Sequence, residues 1–398
     1  MTPQAAAGIR PELKAAALLR LACAYAVATN GTILMPLIVA VLMRRFGVGE
    51  DTATGMAGLE IVGVAIACAV LPHRVARAPR AFAWLGAIGT VAAQAAGAWL
   101  PGVGWVGVSR GVAGLFEGML FAVVAASLSR RAAAERAWGI VILGAGIFDG
   151  ALLVGAAFLP ERWADAWLFP AFAASFALIA GPTAGAGAYA APSGSASASA
   201  PRGQRLPWGV LLPIWAAMVL VYGVLSAQWA VAAVVGQRAG ITPSRSGLLL
   251  SLASVLGLAG CLAASHRRSH ELRRPIIAGA QLAMAASVVW FCAAQGWAGY
   301  FVSQLLITLA FYALTPFLTA RLSSLDADGS LVARSVVISF ASVAFATAAA
   351  GTLLAGLGGL GLGLALAACA VVSMPFARRA FAPLPSRLEP PTQQGTPP

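Results

Sequence analysis

Twelve apolar segments of roughly 20 residues, separated by short polar turns, decide what this chain can fold into. A helix rises about 1.5 Å per residue and the hydrocarbon core of a bilayer is about 30 Å thick, so each segment is long enough to cross it. The segments occupy residues 21–43, 55–72, 82–100, 105–128, 138–159 and 166–185, then 208–236, 247–265, 275–294, 300–322, 335–354 and 360–376. A chain that is 60% hydrophobic and 10% charged, with a mean hydropathy of +0.85, is no soluble globule, in which about 25% of residues are charged. The sequence predicts an all-α polytopic membrane protein of twelve transmembrane helices, with the lipid bilayer as its surroundings.

The segments fall into two sets of six. Tyr189 to Pro207 reads YAAPSGSASASAPRGQRLP, a Ser/Ala/Pro-rich linker without apolar periodicity. The expected organisation is a cytoplasmic N-terminal segment at 1–20, a six-helix half at 21–185, a linker at 186–207, a second six-helix half at 208–377 and a disordered tail at 378–398. The basic start mimics a secretory signal, but its apolar run is too long, so it reads as an uncleaved first span. With both termini cytoplasmic, five of the 26 Lys and Arg fall in outer loops, Arg110 lies within a span, and the other 20 are inside. That positive-inside bias supports the orientation, and the expected setting is a cytoplasmic (inner) membrane. The net charge of +13 comes from short arginine clusters between spans rather than one basic stripe, so nucleic acid is not an expected partner.

Four ionisable residues sit inside the first six segments: Glu60, Arg110, Glu117 and Asp149. A charge at mid-membrane costs about 2.5 to 3.5 kcal/mol even on lenient insertion scales, so each needs a reason to be there. Arg110 and Glu117 are seven apart, on nearly the same helical face, with Gly114 between them leaving room for a neighbour or a ligand. Two readings follow. Glu117 or Asp149 exchanges protons with either side while Arg110 binds an anionic group or tunes the acid; or the charges are structural pairs, Glu60 with Arg110 for instance. The last six segments carry no mid-span charge and offer neutral polarity instead. Gln304, Thr308, Tyr312 and Thr315 share one helical face, Tyr222, Ser226 and Trp229 another, and the first segment adds Tyr25 and Thr29 with Asn30 to one side.

Other patterns carry no chemistry. Gly107 to Gly111 matches Gly-x-Ser-x-Gly without the strand–turn–helix setting or histidine partner of a nucleophile elbow, so an enzyme is not expected. Gly356, Gly358 and Gly361 match a dinucleotide fingerprint without its βαβ unit; the glycines there, like Gly114/Gly118 and Gly146/Gly150, are expected to let spans pack closely. His266 and His270 lack a third ligand, and the five cysteines are scattered, so neither metal nor cofactor is expected.

Six spans, a cytoplasmic linker and six spans make the chain resemble the major facilitator superfamily of secondary transporters. Arg110-Gly111-Val112-Ala113-Gly114 is similar to that family's Arg-x-x-x-Gly signature, and Trp163-x-x-x-Trp167-x-Phe169 resembles its aromatic entry to the sixth span. The turn from Ala69 to Arg80 resembles its Gly-x-x-x-Asp-Arg-x-Gly-Arg-Arg loop, with His73 in place of the Asp and with Arg74 and Arg77 kept. A second His-Arg turn, His266-Arg267, stands at the same place in the other set of six, as two parallel repeats would have it. The resemblance implies an inner-gate loop at His73, Arg74 and Arg77, a monomer, and a central cavity lined by spans one, four, seven and ten, hence by Tyr25, Thr29, Asn30, Tyr222, Ser226, Gln304, Thr308 and Tyr312. The expected function is secondary active transport of a small organic solute by alternating access, with protons as the coupling partner. Arg110 favours an organic anion or zwitterion as substrate. An uncoupled facilitator is the alternative within transport, and a non-transporting membrane sensor or assembly protein the alternative outside it.

Overall fold

A computed structural model describes residues 12–129, 131, 133–157, 161–184, 208–326 and 330–382. The linker expected at 186–207 and the tail from 383 onward lie outside the described residues. The chain is helical throughout the described spans, in the order α1 (Ala15–Ile33), α2 (Met35–Phe46), α3 (Glu50–Val70), α4 (Pro72–Arg77), α5 (Pro79–Ala96), α6 (Val103–Leu128), α7 (Ala134–Ala157) and α8 (Glu161–Ala184). After the undescribed stretch come α9 (Trp208–Ala230), α10 (Ala232–Arg238), α11 (Pro243–Gly257), α12 (Cys261–Ser265), α13 (Ser269–Cys292), α14 (Gly296–Leu325) and α15 (Ser330–Ala380). Seven helical stretches among the described residues are long and apolar enough to cross a membrane, and Gly55–Val70 and Trp167–Leu178 are shorter apolar helices. The described residues of all twelve apolar segments read from the sequence are mainly helical, with turns at some of their ends and breaks.

Three of those segments are not the single straight helices that apolar length alone predicts. The first is divided at Leu34 into α1 and α2, two residues before Pro36, which has no N–H to continue the hydrogen-bond ladder. The eighth runs through α11, a 3-10 turn at Leu258–Gly260 and α12. There a Cβ on Gly260 would overlap the Leu309 carbonyl oxygen, so the irregular turn lets α14 approach backbone to backbone. α15 is broken by a kink at Gly358, whose φ of 69° and ψ of -178° favour glycine, so two helices and two of the apolar segments lie within that one element.

Glycine governs packing where lipid supplies no hydrophobic drive between helices. α3 packs on α6, and a Cβ on Gly114 would overlap the Glu60 carbonyl oxygen, one on Gly63 the Gly111 carbonyl oxygen. Gly118 meets Val64 and Ala67 of the same partner. Gly146 and Gly150 of α7 lie against Leu258 and Val255, and Gly139 against Ser265. The run at 356–361 behaves otherwise: nothing lies within 4 Å of a Cβ on Gly356 or Gly358, and one on Gly361 meets only Leu357, just before the break. Close packing in that region belongs to Gly359 and Gly363, which abut Cys292 and Val289 of α13.

Elsewhere α1 packs on α7, α9 on α15, and α13 on both α14 and α15. Contacts also link the helices before and after residues 185–207: α7 touches α12 and α14, while α3 and α6 touch α15. Outward-facing positions are apolar, with Trp99, Trp105, Trp208 and Trp297 exposed near helix ends, as interfacial tryptophans of a membrane protein are. Within the spans Asn30, Glu60, Gln94, Arg110, Glu117, Asp149, Gln228 and Gln304 are buried.

Candidate functional site: a buried charge cluster and an aromatic centre

α6 carries Arg110 and Glu117 two turns apart on the face that meets α3 and α5. α3 brings Glu60 and α5 brings Gln94, and none of the four side chains is more than 2% exposed. The Arg110 guanidinium donates to a Glu60 carboxylate oxygen and, through its other terminal nitrogen, to the Gln94 side-chain carbonyl. Gln94 Nε2 faces Glu60 Oε1 at 3.3 Å and Glu117 Oε1 at 3.5 Å, so one amide joins both acids. Two atoms remain without a partner, Arg110 Nε and Glu117 Oε2. The Phe169 ring of α8 lies 6.0 Å from the guanidinium carbon and closes one side. Gly31 of α1 closes another, since any Cβ there would strike the Glu60 carboxyl group. The room that Gly114 leaves is taken by the backbone of Glu60 rather than held open.

Gln94 is the member that sequence reasoning missed. It stands alone in an otherwise apolar stretch of α5, and a lone amide inside a span is the signal that could have found it. With it in place Arg110 is already held by two partners, which alters the expectation of an anionic substrate: an incoming carboxylate would have to displace Glu60.

Asp149 lies apart from this cluster, on α7, with 1% of its surface exposed. Thr29 Oγ1 of α1 sits 3.4 Å from Asp149 Oδ2, while Oδ1 has no partner. Tyr25, one turn before Thr29, is within electrostatic reach of Asp149 and of Tyr222 and Tyr312, which come from α9 and α14. The rings form two groups: Tyr25 lies 5.6 Å from Phe121 and 6.0 Å from Trp138, while Tyr222 lies 5.1 Å from Phe311, itself 5.4 Å from Tyr312. Tyr25, Tyr222 and Tyr312 each keep partial exposure at this centre, where α1, α7, α9 and α14 converge.

The remaining expected cavity residues divide. Gln304 receives a hydrogen bond from Gln228 Nε2 at 2.6 Å, linking α14 to α9, and both amides are fully buried. Thr308 donates to the Ala253 carbonyl of α11 at 3.0 Å and fits beside Gly257, so its hydroxyl is engaged in helix packing. Ser226 is partly exposed, as Tyr222 is, whereas Trp229 is 41% exposed. Asn30 is buried, donating to the Val27 carbonyl at 3.1 Å with its own carbonyl oxygen unpartnered. Thr315 bonds its own helix at Phe311.

At the arginine-rich face the helices before and after 185–207 meet directly. Arg334 at the start of α15 lies 3.3 Å from His73 of α4, Arg273 of α13 pairs with Glu135 of α7 at 2.9 Å, and Ser323 donates to the Leu128 carbonyl at 2.8 Å. Arg74 and Arg77 are exposed on the same short helix as His73.

No protein-family model and no curated protein matches this sequence. Solved structures do match. The chain is similar to the human organic anion transporter MFSD10 (TETRAN) at 15% identity and a TM-score of 0.70, over 94% of this chain and 100% of that one. It is similar to the E. coli fucose:proton symporter FucP at 18% identity and a TM-score of 0.63, over 92% of this chain and 98% of that one. A bacterial homologue of the iron transporter ferroportin, in its outward-facing state, matches at 15% identity and a TM-score of 0.67, over 93% of this chain and 100% of that one. Such likeness across almost the full length of each chain shows that this protein has the fold of the major facilitator superfamily.

Proposed function

We propose that this protein is a secondary transporter of a small organic solute, working by alternating access and coupled to protons through Glu117 or Asp149. The observation that carries the reading is the composition of the buried cluster. One guanidinium and two carboxyl groups are enclosed together, and their charges balance only when one carboxyl holds a proton. Glu60 is the partner of Arg110; Glu117, with one oxygen unpartnered, is the acid that gains or loses the proton as the surroundings open to either side. Asp149 offers a second such site beside the tyrosines, which supply the aromatic and hydroxyl surface for a solute between α1, α7, α9 and α14. The solved structures with this fold include an organic anion transporter and a fucose:proton symporter by their own names, which supports transport of organic solutes and proton coupling alike. The protein is taken as a monomer in the inner membrane, both termini cytoplasmic, its two six-helix halves rocking about the centre while the 186–207 linker follows them.

The test is accumulation of a metabolite and drug panel in proteoliposomes, with and without an imposed pH gradient, by wild type, Glu117→Gln and Asp149→Asn. Wild type is expected to concentrate at least one compound only under the gradient, and one of the two variants to lose that dependence while remaining folded. If both variants kept gradient-driven accumulation, proton coupling through these acids would be wrong. Equilibration indifferent to the gradient would instead identify a facilitator, and a folded protein that moved no compound would point to the non-transporting class.

A further inference from the structure

At the arginine-rich face the turn between α6 and α7 and the turn between α12 and α13 wall a cavity of about 810 Å³, with the ends of α14 and α15 as its floor. Five guanidiniums line it, those of Arg131, Arg136, Arg267, Arg273 and Arg321, against two carboxylates, Glu12 and Glu135. The acids do not balance the bases. Glu135 is held by Arg273 at 2.9 Å and Glu12 lies 3.5 Å from Arg136. Arg321 lies within electrostatic reach of Arg273, a like charge, and its bonds go to neutral acceptors, the Ala380 and Ala382 carbonyls at 2.8 and 3.0 Å. The Arg273 guanidinium carbon lies over the Phe381 ring, 4.6 Å from its centre, and its Nε is buried with no partner. Positive-inside bias accounts for arginines at this face, yet it does not require that five of them line one half-open cleft.

We propose that this cavity is a binding site for a phosphate-bearing anion. Clustered guanidiniums, with Arg273 Nε left unpartnered, match phosphate oxygens, which arginine binds by paired hydrogen bonds, and the volume falls within the range of small-molecule sites. The site is separate from the buried cluster of Glu60 and Arg110 and from the tyrosine centre. An anion held there touches segments from both sides of residues 185–207 and braces their contact at this face. The phosphate belongs either to a soluble compound or to a lipid headgroup, since the cavity lies at helix ends where both can reach.

The test is the thermal-unfolding midpoint of the purified full-length protein, titrated with inorganic pyrophosphate in neutral detergent against sodium chloride of equal ionic strength. The expected result is a saturable rise with pyrophosphate alone, with the half-saturating concentration raised about tenfold in Arg267→Gln and in Arg136→Gln. Arg80→Gln, the same charge change at the exposed start of α5 and outside the cavity, is expected to respond as wild type does. The source is settled in nanodiscs of phosphatidylcholine with or without phosphatidylglycerol. A rise with phosphatidylglycerol that Arg267→Gln abolishes identifies a headgroup site. A pyrophosphate response that phosphatidylglycerol neither mimics nor blocks identifies a soluble ligand. No rise with either beyond that of chloride, or cavity variants that respond as Arg80→Gln does, would overturn the proposal.

Discussion

Arg110 and Glu60 form an ion pair across the α3–α6 interface in which neither side chain is more than 2% exposed. The pair depends on glycines as much as on charge. Gly114 lets the Glu60 backbone come close enough, and Gly31 leaves space for the carboxyl group itself.

Removing one partner of a buried pair leaves an uncompensated charge, which costs about 3 to 5 kcal/mol. Arg110→Gln is expected to lower stability by that order, Glu60→Gln by less because Glu117 in the same cluster can carry the balancing charge, and the double variant by less than their sum. Unfolding of the purified protein in detergent, followed through a double-mutant cycle, measures the coupling.

Gly114→Ala puts a methyl group into the Glu60 carbonyl, and overpacking of this kind costs about 1 to 3 kcal/mol. Gly356→Ala, where a Cβ meets nothing within 4 Å, is expected to be neutral or slightly stabilising through helix propensity. The same melting experiment on both variants separates a packing glycine from one in open space.

Gly358→Ala also meets nothing within 4 Å, yet its φ of 69° with ψ of -178° is a conformation that side chains avoid. A loss of about 1 to 3 kcal/mol is expected, in contrast to Gly356→Ala two residues earlier. Equal stability of the two variants would show that the kink in α15 does not need that backbone angle.

Arg273 and Glu135 join α13 to α7 at 2.9 Å, partly exposed at 30% and 13%. Screening by solvent limits such a pair, so Glu135→Gln is expected to cost no more than about 1 kcal/mol of global stability. Its effect is expected to be local: faster hydrogen exchange in the turn before α7 and at the start of α13, with exchange around Gln94 unchanged. Increased exchange across the entire chain would show that the contact supports the whole fold.

The twelve helical segments were legible because a span must be long and apolar, and neither requirement depends on what packs beside it. Glu60, Arg110, Glu117 and Asp149 were legible for a related reason, since a charge stands out in an apolar run. Which charges meet was not. Glu60 is 50 residues from Arg110, and their encounter is fixed by the α3–α6 glycine contact, which no single segment specifies. Gln94 carried no charge to mark it, and its role as the amide between two acids exists only once α5 lies against α6. Thr308 and Tyr312 share a helical face by spacing, yet one is bonded to α11 while the other lies at the tyrosine centre, because neighbouring helices divide that face between them. The sequence by itself determined which stretches are long and apolar enough to cross a bilayer and which polar groups they carry, through hydrophobic length and the cost of burying charge. Only the tertiary structure decided their partners, because a buried polar group takes whatever donor or acceptor helix packing brings within about 3 Å.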